Sequence, residues 1–267
     1  MTAAAIDPVH ASESTDALSF RDVVVRFAGE TIYDGLTFSV TPGEFLCILG
    51  PSGCGKSTSL RLMGNLLSAD SGEVSIQGLP PERGWDQLAY VFQSPRLAPW
   101  RSALDNVMLG MELRFKRMPK KEMRERATEL LALVGLAADQ HKFPSMLSGG
   151  ERQRVSIARA LSVDPKIILM DEPFSALDLN TRHRMRAEIE RIWEQTGKTI
   201  VFVTHDIDEA LILADRILLL SNKPTTALRT IEVHEPRPRQ FANSEFLNAQ
   251  RDELVALFRT LELEPAP

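Results

Sequence analysis

The segment Gly50-Pro-Ser-Gly-Cys-Gly-Lys-Ser-Thr58 has the composition of a phosphate cradle. Glycines let the backbone curl so that successive N–H groups point inward, and a helix starting at the end of the turn adds its positive dipole end. The natural occupant is a triphosphate held along Gly50, Pro51, Ser52, Gly53, Cys54, Gly55, Lys56, Ser57 and Thr58. Lys56 would reach the β- and γ-phosphates as a mobile charge and the Ser57 hydroxyl would ligate Mg²⁺, while Cys54 takes part only through its backbone N–H. A second glycine-initiated segment, Leu147-Ser-Gly-Gly-Glu-Arg-Gln-Arg154, also reads as an anion site at a helix start. One phosphate chain needs one cradle, so the second raises the question of whose phosphate it faces.

Two further sites of chemistry follow apolar runs. Asp171 can hold Mg²⁺ through water, and Glu172 beside it can take a proton from an attacking water. His205 follows its own run much as Asp171 does, so the two can converge at the carboxyl edge of a sheet, where open α/β folds bind ligands. Spacing alone leaves open whether His205 contacts a terminal phosphate or is structural.

The elements that must position these residues are legible from pattern. Phe45–Leu49 is a short apolar strand closed by glycine, and residues 56–66 have helical spacing, which puts the cradle at a strand-to-helix turn. Ile167-Ile-Leu-Met170 and Thr199-Ile-Val-Phe-Val203 are near-continuous apolar runs, as expected of strands covered on both faces. Between them Met185, Ile189, Ile192 and Trp193 share a helical face ending at Gly197. Strand, helix, strand implies a parallel sheet. Residues 18–40 alternate like antiparallel strands. Residues 94–164 carry no strand signal and read as helices, the clearest over 122–134. The tail beyond Asn222 starts with proline-containing turns and ends in an amphipathic helix over 243–261.

Of 267 residues 43% are hydrophobic, ample for a core, and the net charge of −5 gives no footprint for nucleic acid. Cys47 and Cys54 have neither metal-site nor disulfide spacing, which fits a reducing compartment. The apolar stretch 210–220 is interrupted by Asp215 and Arg216 and is too short to cross a bilayer. Residues 1–17 lack signal-peptide character and read as a disordered leader. The cation-rich run over 114–126 reads as a solvated helix face, with contact to an anionic surface as the lesser alternative.

Gly50 to Thr58, Gln93, Leu147 to Gln153, Ile167 to Glu172, Ser175-Ala-Leu-Asp178 and His205 stand in the order and spacing of ATP-binding cassette (ABC) ATPases, which the chain resembles over residues 18–220. The resemblance implies an α/β fold: a P-loop NTPase core with a parallel sheet (18–93 and 165–225), an N-terminal antiparallel β subdomain, an inserted helical subdomain (94–164) and a C-terminal helical tail (226–267). It implies ATP and Mg²⁺ as cofactors, with Ser57, Gln93 and Asp171 around the metal. It makes Gln93 the mobile glutamine, Glu172 the general base, His205 the γ-phosphate switch and Phe27 the ring that packs on adenine. Ser175 to Asp178 becomes a loop passing between two subunits. Ser148, Gly149, Gly150 and Glu151 become the signature that completes the site of a second copy. Glu151 stands where the most familiar signature has glutamine. A carboxylate suits the first turn of a helix but repels a γ-phosphate, so its side chain is expected to turn away from the nucleotide.

Residues 93–107, with Pro99-Trp100 after the mobile glutamine, and the tail Glu235-Pro-Arg-Pro-Arg239 resemble the nitrate, sulfonate and taurine importer branch. That resemblance implies a homodimer beneath two membrane permease subunits, peripheral on the cytoplasmic face of the inner membrane, with a periplasmic solute-binding protein and no nucleic acid. Trp100 is then the candidate anchor for the permease, against a plain reading as a buried residue of the helical subdomain. An exporter or lipid-trafficking ATPase of the same fold, and a soluble cassette protein without a permease, are the alternatives.

Overall fold

The computed structural model describes residues 16–175 and 177–263. Most of the expected leader, Ala176 and residues 264–267 lie outside them. Ala17 does not belong to a leader: it is buried, its N–H donates to the Val40 carbonyl (2.7 Å) and its carbonyl accepts from Gln77 N–H (2.9 Å).

The strands are β1 (Leu18–Phe27), β2 (Glu30–Val40), β3 (Phe45–Leu49), β4 (Ser71–Ile76), β5 (Leu88–Val91), β6 (Ile167–Asp171), β7 (Thr199–Thr204), β8 (Arg216–Leu220) and β9 (Ala227–Glu232). They form an antiparallel sheet ordered β2-β1-β4 and a six-stranded sheet ordered β5-β6-β7-β3-β8-β9, parallel except where β9 meets β8. Every residue of β3 is buried. Because side chains alternate across a strand, Leu46 and Ile48 enter the core shared with the antiparallel sheet, while Phe45, Cys47 and Leu49 enter the core on the other face. A strand covered on both faces reads as an unbroken apolar run, which is why β3, β6 and β7 stand out in the sequence.

Helix α1 (Lys56–Met63) follows β3 and packs into the first core through Leu60, Leu62 and Met63, and a single turn, α2 (Pro81–Gly84), follows β4. Between β5 and β6 run α3 (Ala103–Arg114), α4 (Lys120–Leu133) and α5 (Gly149–Ser162), with no strand among the described residues. Asn106 on α3 is fully buried and donates to the carbonyls of Ala98, Arg101 and Ser102 while accepting from Ala98 N–H, which fixes the loop bearing Trp100. Helix α6 (Leu179–Thr196) ends at Gly197, whose φ of +60° is the left-handed stop that glycine takes without strain. Helix α7 (Ile207–Leu213) joins β7 to β8.

The tail differs from the helical tail expected over 226–267. It opens with β9, which pairs Ile217 with Ile231 and Leu218 with Thr230. An edge strand with one buried residue, Ile231, leaves no apolar pattern to read. Helix α8 (Glu245–Leu263) follows, burying Leu247 and Leu254 in the core beside α7.

Candidate functional site

The cradle residues form the turn between β3 and α1 at the carboxyl edge of the large sheet. Gly55 caps α1 with φ +106°, and a Cβ there would lie 2.9 Å from both Ile32 Cγ2 and Tyr33 Cε1, so only glycine fits. No side chain caps α1 and its first turn holds no acid, so its positive end suits an anion. Lys56 is 5% exposed and its Nζ donates to the carbonyls of Gly50 (2.9 Å) and Pro51 (2.8 Å), placing the cation inside the curl. Two supports hold the loop from behind. Tyr33 Oη donates to the Gly55 carbonyl and Thr225 Oγ1 to the Cys54 carbonyl, each at 2.5 Å.

Strand β7 lies beside β3 and β6 beside β7, and all three bring their ends to the same edge. Ser57 Oγ donates to Asp171 Oδ1 (2.7 Å), and Tyr90 Oη donates to the other carboxylate oxygen (3.1 Å). Ser57, Tyr90, Gln93 and Asp171 line one cavity of about 500 Å³. A hydroxyl, a carboxylate and an amide oxygen are hard donors of the kind Mg²⁺ takes, and a site with so few protein ligands suits an ion that keeps waters and phosphate oxygens. The donor set therefore fits that metal. Gln93 Nε2 donates to Ser175 Oγ (3.0 Å), linking it to the loop before Asp178.

Glu172 has φ +41°, an uncommon conformation that costs a non-glycine residue about 1–3 kcal/mol. Its N–H donates to the Val203 carbonyl (3.0 Å), and its carboxylate lies 3.3 Å from His205 Nδ1. The strained backbone turns the carboxylate toward His205, whose side chain is 56% exposed. Lys56, Ser57, Asp171, Glu172 and His205 thus gather on the ends of three adjacent strands. That arrangement can hold a polyphosphate, orient a metal and take a proton from water.

The second glycine segment is arranged otherwise. Ser148 caps α5: its Oγ accepts from Glu151 N–H (3.3 Å) while its own N–H donates to Glu151 Oε2 (2.6 Å), a complete capping box. The Ser148 backbone N–H, first among the causes, holds the Glu151 carboxyl below the usual range. The side chain folds back along its own helix. Among the described residues no hydrogen bond or ion pair joins 147–151 to 50–58. The Ser-x-x-Glu spacing announces this box in the sequence, a signal that the anion reading alone passes over.

Asp178 caps α6, its Oδ1 accepting from Thr181 N–H (3.1 Å), and the Thr181 hydroxyl followed by that N–H lowers its pKa. Phe27 ends β1 with 69% of its surface exposed and is not packed in the core. Trp100 is 76% exposed and is not buried in the helical region. Sequence reasoning missed Tyr33, Tyr90 and Thr225. Nothing local marks them, since each acts on a residue distant in the chain.

A family model described as ABC transporter matches residues 33–175. The nitrate import ATP-binding protein of Synechococcus elongatus is 42% identical over 208 residues, 78% of this chain and 76% of that one. An aliphatic sulfonates import ATP-binding protein of Pseudomonas fluorescens is 41% identical over 250 residues, covering 94% and 90% of the two chains. Among solved structures, a dimeric ATP-binding cassette in a post-hydrolysis state bound to ADP and Pi superposes with a TM-score of 0.72 at 33% identity, over 82% of this chain and all of that one.

Proposed function

Because the chain belongs to the ABC transporter family, as an ATPase with the family's P-loop α/β fold, we propose that it drives an importer for nitrate, aliphatic sulfonates such as taurine, or a related oxyanion. Two copies pair on the cytoplasmic face of the membrane beneath two permease subunits, and a solute-binding protein delivers the cargo. ATP closes the pair and hydrolysis reopens it. The supporting observation is the gathering of Lys56, Ser57, Asp171, Glu172 and His205 at one sheet edge.

In this reading Lys56 leaves the Gly50 and Pro51 carbonyls to meet the β- and γ-phosphates, and the open N–H groups of α1 receive them. Ser57, Asp171 and Gln93 would hold Mg²⁺, which supplies charge neutralisation on the phosphates. Glu172 accepts a proton from the attacking water and His205 faces the terminal phosphate. Phe27 stacks on adenine. Ser148, Gly149 and Gly150 complete the partner copy's site, and the loop 175–178 runs between the copies. Residues 18–93 and 165–225 form the catalytic core, and 94–164 the helical part that meets the permease.

The test is co-purification with the membrane partner, then ATPase measurement with nitrate, taurine and alkanesulfonates. One of these should stimulate hydrolysis, and Trp100→Ala should lose the stimulation while the isolated subunit keeps its basal rate, since aromatic side chains anchor interface cores. Stimulation intact in the variant removes Trp100 from the interface, and failure of every oxyanion removes the importer assignment.

A further inference from the structure

A helix leaves its last four carbonyls without partners. For α7 these are taken by two guanidinium groups from the tail. Arg239 Nη1 donates to the carbonyls of Leu211 (3.0 Å), Ile212 (3.3 Å) and Ala214 (2.5 Å), and Arg237 Nη2 donates to that of Leu213 (2.6 Å). The remaining Arg239 bonds run to the carbonyls of Val233 and Glu235, both at 2.8 Å. Arg239 is 5% exposed, and burial pushes its pKa down to about 10. Arg237 is also ion-paired with Asp215 (2.8 Å) and stacked on Trp193 (4.3 Å). Arg239 bonds only to carbonyl dipoles. Burying a cation is costly even when it is well paired, and a fork of fixed N–H donors is what several converging carbonyls require.

The other end of α7 is fixed as tightly, and it carries His205. Asp206 caps the helix, its Oδ1 accepting from Glu209 N–H (2.9 Å). Arg182 and Arg186 of α6 each approach Asp206 Oδ2 at 3.3 Å. Thr204 Oγ1 accepts from Asp206 N–H (3.0 Å) and donates to Glu209 Oε2 (2.6 Å). Both chain neighbours of His205 are therefore tied to α7, while the imidazole itself lies against the Glu172 carboxylate, 3.3 Å from Nδ1. These bonds couple residues 204–206 to the two-turn helix, with Thr204 also closing β7.

We infer that Arg239 is a positioning residue for His205: it grips the carboxyl end of α7 and so sets where the opposite end presents the imidazole. This rests on the reading of His205 as the residue facing the terminal phosphate. It gives the tail a part in the ATPase cycle, reinforced by the ion pair of Arg251 on α8 with Asp208 on α7 (2.8 Å). Displacement of a reacting group by about 1 Å can cost roughly 100-fold in rate. The effect belongs in kcat, since nothing in the clamp touches the nucleotide cradle.

The experiment compares Arg239→Lys and Arg239→Met with the unaltered chain in ATP hydrolysis, in ATP binding and in the proton–carbon NMR spectrum of the histidine rings. The His205 resonance is identified by its loss in His205→Ala. The expected result is a fall in kcat of about 10- to 100-fold in Arg239→Met, with a smaller fall in Arg239→Lys. KM for ATP should stay within about two-fold and the His205 resonance should shift, while that of His141 holds still. Arg239→Lys keeps the cation and serves if the methionine variant fails to fold. A folded variant with unchanged kcat and an unmoved His205 resonance overturns the proposal. So does a loss of kcat with that resonance unmoved, because the effect then bypasses His205. If His205→Ala itself hydrolyses ATP at the normal rate, the reading of the site falls, whereas a shifted resonance still establishes the mechanical link.

Discussion

Helices α1 and α5 both begin beside glycines, yet their ends are finished in opposite ways. Helix α1 starts from a glycine, with no capping side chain and no acid in its first turn. Helix α5 starts from Ser148 with a closed capping box, so the N–H groups of Ser148 and Glu151 are already satisfied. An uncapped helix end is a standing cost that a bound anion relieves, whereas a capped end is stable while it waits. Under the proposed function, the contrast gives α1 the capture of nucleotide in the single copy and leaves α5 with the Ser148 hydroxyl and the Gly149 and Gly150 N–H groups to offer a second copy.

The largest effect that bears on this contrast is expected from Glu172→Gln, which should cut hydrolysis by about 10²- to 10⁴-fold and leave ATP bound. With both cradles occupied, the variant should sediment as a dimer in ATP. Adding Ser148→Arg should return it to monomers that still bind ATP, and loss of ATP binding in the double variant would break the division of labour between α1 and α5. A smaller effect is expected from Phe27→Ala. Base stacking is worth about 1–3 kcal/mol, so ATP affinity measured by titration should fall by about 10- to 100-fold, with dimerisation at saturating ATP preserved.

The smallest concerns Glu151. Glutamine at the same position also completes a capping box, so Glu151→Gln should leave ATP-driven dimerisation within about two-fold, and a marked tightening would mean that the carboxylate opposes the incoming phosphate. The same pair reads out against pH. The folded-state pKa of Glu151 is lowered, so its contribution to stability is fully present above the ordinary carboxylate pKa and is lost as pH falls through the lowered value. Thermal melts of Glu151→Gln should lack that part of the acid-side decline.

The parts of this site that were legible in the sequence are those made by consecutive residues. Gly50 to Thr58, Asp171, Glu172 and His205 each follow a strand buried on both faces, and such strands write themselves as apolar runs. Strand β5, four residues long, and β9, with one buried residue, write nothing comparable. Tyr33 and Thr225 reach the phosphate loop across 22 and 171 residues, and such contacts have no local signature. The exposure of Phe27 and Trp100 is likewise a tertiary property: both side chains are large and apolar, and hydrophobicity alone points inward. Glu151 is the intermediate case, since its spacing from Ser148 is readable but its direction comes from the closed box.

The order of strands in the large sheet also bears on how the protein is made. Strand β3, which carries the phosphate loop, has β7 and β8 as its hydrogen-bonded neighbours, and the loop's rear brace, Thr225, comes later still. A chain leaving the ribosome can pair β1, β2 and β4 early, while β3 must wait for residues 199–220. A nascent ATPase of this design is therefore unfit to hold nucleotide until the chain has been made through Thr225.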